Sequence, residues 1–249
     1  MLTVTRIKIL TSLLLLSYAS LKDLKYREVS DTVWLFFSIF ALFINIVSFF
    51  ILRYFYIDVV SVAYVLVLLV IFFTLYYAGA YGGADAKALT CITLMFPFLS
   101  EEVSLSGFTL LPVPVATFFY ASVLSLVQVV LNLIHNLLLV FKREKVFEGI
   151  NEPISKKILA LLLLRKEYVR KSDLNLFFTP AEVTLKDGSR KLIFFSNSNS
   201  NFTVSDGELI FVSPLIPFVP FLVFGFLLFI VFGDSMVVKV IEVVTSILH

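Results

Sequence analysis

Between Asp31 and Arg53 the chain carries no charged side chain, and there is none between Asp58 and Asp85. Uncharged runs of this length restrict the fold more than any other feature. A helix needs about 20 mostly apolar residues to cross a hydrocarbon core about 30 Å thick. In lipid, a helix is also one of the few structures that satisfies its own backbone N–H and C=O groups. Six such segments are marked: residues 2–21, 32–52, a span within 59–84, a short one over 83–99, one within 103–141, and 215–232. The fifth begins near Pro112 and Pro114, where proline suits a helix start, and the sixth follows Pro214 and is interrupted early by Pro217 and Pro220. Composition agrees, with 59% hydrophobic and 15% charged residues against roughly 25% charged in a soluble domain. The predicted fold class is an all-α polytopic membrane protein of six transmembrane helices. A small antiparallel β domain on the cytoplasmic side joins helices five and six.

Basic residues set the expected orientation, because cytoplasmic segments near spans are rich in Lys and Arg. With the N-terminus outside, Lys22, Lys25, Arg27, Lys87 and every Lys and Arg from Lys142 to Lys191 fall inside. Arg6, Lys8, Arg53 and Lys239 fall outside, with Arg6 and Lys8 able to snorkel outward. The same cluster after the first segment disfavours its removal as a signal peptide, since export past Lys22, Lys25 and Arg27 is unfavourable. The expected location is therefore a multi-pass cell membrane protein with its N-terminus outside.

Three regions follow: 1–141 with helices one to five, 142–213 as a cytoplasmic domain, and 214–249 with helix six and an amphipathic tail. In the middle region, residues 152–171 read as helical, and 158–164 form an apolar patch suited to the membrane surface. Beyond it, Asp187-Gly188 and Asp206-Gly207 each lie between short apolar runs, the pattern of two β-hairpins. The bland role for this sheet is a lid or scaffold, the sharper one a grip on substrate.

Several chemistries are excluded. A single cysteine, Cys91, allows no intrachain disulfide or Cys-rich metal site, and His135 and His249 lie far apart. No HExxH, CxxC, GxSxG or Walker A pattern occurs. A net charge of +2 argues no case for nucleic acid. No metal or cofactor is expected, and His135 reads as a packing or interhelical hydrogen-bonding residue.

Two carboxylates remain, and ionisable groups at the ends of spans are costly and usually functional. Asp23 follows the first span in Lys22-Asp23-Leu24-Lys25-Tyr26-Arg27-Glu28. Asp85 opens the fourth in Gly82-Gly83-Ala84-Asp85-Ala86-Lys87. With two spans between them, both fall on the same membrane face. A carboxyl pair that shares one proton can activate water and polarise a peptide carbonyl. Helix dipoles favour Asp85, at a helix start, as base and Asp23, at a helix end, as acid. Taken singly, Asp85 reads more readily as a helix cap and Asp23 as an interfacial charge. Glu28 and Asp31 read as solvated juxtamembrane charges, with Asp31 a possible cap of helix two. Lys87 reads as a helper beside the pair or a headgroup anchor.

Together these segments resemble the type IV prepilin peptidases. Asp23 to Val29 is similar to their first aspartate segment, and Gly82-Gly83-Ala84-Asp85-Ala86-Lys87 to their GxGD segment. Pro217-Phe218-Val219-Pro220-Phe221 is similar to the start of their late helix. Size and the missing Cys-rich module match the archaeal branch, the preflagellin (prearchaellin) peptidases. Ala84 departs from the pattern, standing where the second glycine would be. The resemblance implies an aspartyl endopeptidase with Asp23 and Asp85 catalytic and Gly82, Gly83, Ala84 and Lys87 supporting the motif. It implies a membrane-embedded precursor with a class III signal peptide as substrate, an archaellin or pilin cut at the cytoplasmic face. Three rivals are a presenilin-like protease, an ion-coupled transporter and an assembly scaffold. No Pro-Ala-Leu segment supports the first, and no inverted repeat supports the second.

Overall fold

The computed structural model describes residues 2–52, 59–79, 81–97, 103–105, 111–170, 177–184, 190–194 and 207–248. The acidic loop with Glu101 and Glu102, the Asp187-Gly188 turn, residues 195–206 and His249 lie outside them. In chain order the helices are α1 (Leu2–Tyr26), α2 (Asp31–Leu52), α3 (Val59–Tyr77), α4 (Gly83–Met95), α5 (Val113–Ser125), α6 (Val127–Phe141), α7 (Ile154–Leu163), α8 (Phe218–Phe232) and α9 (Ser235–Leu248). The strands are β1 (Arg165–Val169), β2 (Phe178–Pro180), β3 (Glu182–Thr184), β4 (Arg190–Leu192) and β5 (Glu208–Pro214). The chain divides into two compact units, residues 1–124 with 217–249, and residues 125–216.

Four helices are long and apolar enough to cross a membrane: Thr3–Tyr26, Asp31–Phe50, Val60–Tyr77 and Val113–Phe141, the last taking in α5 and α6. The expected fourth and sixth spans are shorter. Helix α4 has 13 residues and α8 has 15, about 20 and 22 Å at 1.5 Å per residue. Helix α4 stops because Phe96 leaves helical geometry just before Pro97, a residue that disfavours helix in its predecessor. Leu14, Phe36, Val70 and Phe224 are exposed on outward faces, an arrangement suited to a lipid solvent.

In the first unit, α1 packs along α8, and α4 is held by α2 and α3. Leu16, Phe37, Leu89, Ile92, Met95, Leu222, Phe226 and Phe229 form a common core. Phe96 and Phe226 meet at 5.7 Å between ring centroids, within the range where aromatic pairs add about 0.5–1.5 kcal/mol beyond burial. Gly225 admits the closest approach: a Cβ there would lie 2.6 Å from the Thr117 carbonyl oxygen and 2.7 Å from the Ala121 nitrogen. Lys8 does not snorkel. It is 4% exposed, with its ammonium 5.9 Å from the Phe96 ring centroid, a distance at which the π face favours the charge. Arg6 stays exposed.

In the second unit, α6 carries the polar stripe Gln128, Asn132, His135 and Asn136. Asn136 donates to the carbonyls of Leu161 (3.0 Å) and Leu164 (2.8 Å) and accepts from the Lys166 N–H (2.8 Å). Asn132 donates to Leu163, and His135 Nε2 lies 2.9 Å from the Lys166 carbonyl. These side chains serve the backbone groups that a helix end leaves without partners. The helix expected over 152–171 therefore stops at Leu163, and Arg165–Val169 becomes β1, paired antiparallel with β5. Strand β5 also pairs with β2, in the order β1-β5-β2. The hairpin expected around Asp187-Gly188 is present as β3 and β4. The second expected hairpin places its first arm outside the described residues, and β5 takes β1 and β2 as its described partners.

Buried charge ties the strands together. Lys166, 1% exposed, donates to Glu182 at 2.9 Å. Arg190 bridges Glu182 at 2.9 Å and Glu208 at 3.1 Å, and the Phe211 N–H donates to Glu182 at 2.8 Å. Both oxygens of the Glu182 carboxylate are thus occupied, the condition under which a buried charge is tolerated. Burial pushes the Lys166 ammonium pKa down, against the pull of Glu182.

Candidate active site

Helix α1 runs without a breaker until Arg27, which turns into the left-handed region at φ 56°. The Arg27 N–H donates to the Asp23 carbonyl at 2.9 Å, a helix C-terminal closure of the αL type. Asp23 is thereby held in the last turn, and the Arg27 guanidinium acts electrostatically on its carboxyl group.

Asp85 is reached differently. Gly82 is extended at φ −76° and ψ 164°, and α4 begins at the next residue. Asp85 reaches back so that the Gly82 N–H donates to its Oδ2 at 2.9 Å. Gly82 has no side chain to reciprocate, so this is the return half of a capping box. A Cβ on Gly82 would stand 3.2 Å from that oxygen, while one on Gly83 would meet the Tyr76 ring at an ordinary 3.5 Å. Ala84 sits within the first turn of α4, and the non-glycine residues with positive φ among those described are Arg27 and Arg143. The alanine at the motif's second glycine position is therefore unstrained: helical geometry there makes no demand on glycine.

The two carboxyl groups lie in one neighbourhood: Asp85 feels the charge of Asp23, and the backbone N–H of Val219 favours the ionised form of both. Both residues are buried, at 7% and 6% exposure. Val219 is the second residue of α8, whose opening reads Pro217-Phe218-Val219-Pro220. The first N–H groups of a helix lack intrahelical partners, and Pro220 contributes none. The start of α8 therefore presents few N–H groups, and that of Val219 acts on both carboxyls. Val219 did not emerge from the sequence reading as a site residue, although the paired prolines marked the segment. Its role also qualifies the acid and base assignment made from helix ends, because the start of α8 acts on Asp23 as well as on Asp85.

Aromatic residues brace the site. The Tyr81 hydroxyl donates to the Phe72 carbonyl at 2.6 Å. Phe118 lies 6.0 Å from Tyr81 and 5.9 Å from Phe218, centroid to centroid. The residues preceding Gly82 and Val219 are thus pinned to one ring. Lys87 lies away from the pair and is bonded to Asp31 on α2. Asp31 is not the cap of α2: Ser30 precedes the helix, and its carbonyl accepts the Val33 N–H. No group of three or more His, Cys, Asp or Glu able to hold a metal occurs among the described residues.

Two buried carboxyls that feel one another's charge can hold one proton between them, since like charges so placed do not both ionise easily. In the neutral–ionised state, one group can accept a proton from water while the other donates to a carbonyl. No curated protein matches the chain. Residues 10–130, which contain both aspartates and the Gly82–Asp85 turn, match the model of the type IV leader peptidase family. Through that segment the chain is similar to the type IV leader peptidase family, and the match supports an aspartic endopeptidase of the prepilin-peptidase type.

Proposed function

We propose that this protein removes short basic leader peptides from archaellin or type IV pilin-like precursors at the cytoplasmic membrane face, with Asp23 and Asp85 as its catalytic pair. The observation that carries the reading is that Asp23 and Asp85 are both buried and that Asp85 feels the charge of Asp23, with the start of α8 at Val219 acting on both. Water held between the carboxyls attacks the scissile carbonyl. The ionised carboxyl takes the water's proton, and the protonated one donates to the carbonyl oxygen. The proton then passes to the leaving amine as the tetrahedral intermediate collapses. The precursor's apolar helix lies in the bilayer while its leader stays on the polar side. The six-span arrangement supplies the topology, with α4 and α8 as short spans whose N-terminal ends meet the last turn of α1. The division into 1–141, 142–213 and 214–249 belongs to the same reading.

Wild type, Asp23→Asn and Asp85→Asn, reconstituted with a membrane-embedded precursor, test the assignment by size shift and N-terminal sequencing. Both variants are expected to lose cleavage while retaining membrane insertion and the wild-type melting profile. Cleavage retained by either removes that residue from the mechanism. Labelling of single cysteines placed beside Lys25 and Lys239 tests the topology, with reagent from the cytoplasmic side expected to reach the first site and not the second.

A further inference from the structure

Helices often close on a glycine in the left-handed region, where a side chain costs conformational energy. Helix α1 closes on Arg27 instead, at φ 56°. Strain kept at one position points to a use for the side chain there. A comparison within the chain narrows that use. Arg143, just beyond α6, is the other non-glycine residue with positive φ among those described, at φ 62°. Its side chain is exposed, whereas Arg27 is partly buried. A cation left in water needs no partner, but one drawn toward the interior is stabilised by an opposite charge.

Arg27 has such a charge beside it. Its N–H donates to the Asp23 carbonyl at 2.9 Å, which fixes the two residues one turn apart. Its guanidinium and the Asp23 carboxyl act on each other electrostatically. The other cations of the two motifs are engaged elsewhere. The Lys22 ammonium lies 5.7 Å from the Tyr18 ring centroid and 5.1 Å from that of Tyr26. The Lys25 ammonium lies 4.9 Å from the Tyr26 centroid, and Lys87 is bonded to Asp31. Asp23 also sits in the last turn of α1, where the helix dipole opposes a negative charge. Asp85 has the contrary surroundings, in the first turn of α4 and accepting the Gly82 N–H. Asp85 is thus supported by a helix start, and Asp23 needs a cation to offset a helix end.

We propose that Arg27 is a positioning residue of the peptidase reaction, its guanidinium holding the Asp23 carboxyl beside Asp85 and balancing its charge. The inference rests on the aspartyl peptidase reading and adds a residue that acts through Asp23 rather than on the substrate.

Glycine is relaxed at φ 56°, so Arg27→Gly removes the guanidinium without straining the turn. The full chain is reconstituted in vesicles, and cleavage is measured at graded densities of a membrane-embedded precursor. In Arg27→Gly and Arg27→Gln, kcat is expected to fall about tenfold to a hundredfold with KM unchanged. Arg27→Lys keeps a positive charge and is expected to stay within about fivefold of wild type. Arg143→Gly makes the same backbone change away from the pair and should cleave at the wild-type rate. Wild-type cleavage by Arg27→Gly overturns the proposal, as does an Arg27→Lys rate as low as that of Arg27→Gly. A raised KM with kcat intact would make Arg27 a substrate contact instead. Melting temperatures that fall in step with the rates would make it only a helix closure. Absence of cleavage by wild type refutes the peptidase reading itself and this role with it, whereas the other refuting outcomes leave that reading standing.

Discussion

Replacing Gly82 by alanine probes the carboxyl pair without touching either aspartate. The new Cβ would stand 3.2 Å from Asp85 Oδ2, the oxygen that accepts the Gly82 N–H at 2.9 Å. The backbone is already extended at φ −76°, so alanine is not strained by its own geometry. The whole effect falls on the carboxylate, which must move by a few tenths of an ångström and weaken that bond. A hydrogen bond to a charged group contributes about 1.5–3 kcal/mol, and each 1.36 kcal/mol of barrier is tenfold in rate. If half or more of that contribution is lost at the transition state, precursor cleavage falls about 4- to 160-fold in Gly82→Ala. Gly83→Ala is the internal control. Its Cβ meets only the Tyr76 ring at 3.5 Å, an ordinary contact, and alanine favours the helix start by up to about 1 kcal/mol. Cleavage of a reconstituted precursor, with thermal unfolding of each variant alongside, separates the two. Wild-type rates in Gly82→Ala, or equal losses in both variants with stability unchanged, would refute the argument that Gly82 is needed for room beside Asp85.

Other substitutions test the frame around the site. Gly225→Ala would set a methyl 2.6 Å from the Thr117 carbonyl and 2.7 Å from the Ala121 nitrogen; both are backbone atoms, so the helices must separate, and a loss of about 1–3 kcal/mol is expected as a lower melting temperature. Asn136→Leu leaves the Leu161 and Leu164 carbonyls and the Lys166 N–H without their side-chain partner; at about 1–3 kcal/mol per stranded group, limited proteolysis should cut residues 142–213 faster while helix content elsewhere persists. Glu182→Ala strands buried Lys166 and frees one arm of Arg190, and should cost about 3–5 kcal/mol, whereas pairing it with Lys166→Met should recover much of that loss.

The elements differ sharply in how readable they were. Helices α1, α2 and α3 followed from uncharged runs, because hydropathy over 20 residues is a local property. The hairpin β3–β4 followed from Asp187-Gly188, because turn chemistry is also local. Strand β1 was hidden inside an expected helix. Its Arg-Lys-Glu-Tyr-Val sequence has no strong preference, and the deciding partners, Asn136 and β5, lie about 30 and 43 positions away. Lys8 looked like an interfacial charge because its neighbours in sequence are apolar, whereas Phe96 lies far along the chain.

At the site the same division holds. Asp23 and Asp85 were identifiable as candidates because a carboxylate at the edge of an apolar run is costly wherever the run packs. That the start of α8 acts on both was not identifiable, because Val219 belongs to a helix that starts nearly two hundred residues after Asp23. Gly82 and Gly83 were equivalent as letters, and only the position of the Asp85 oxygen separates them. Sequence by itself determined the solvent, the helices long enough to cross it and the two carboxylates. Tertiary structure alone decided that α1, α4 and α8 bring their ends together, since contacts between helices depend on side-chain shape and close backbone approach, which no local pattern encodes.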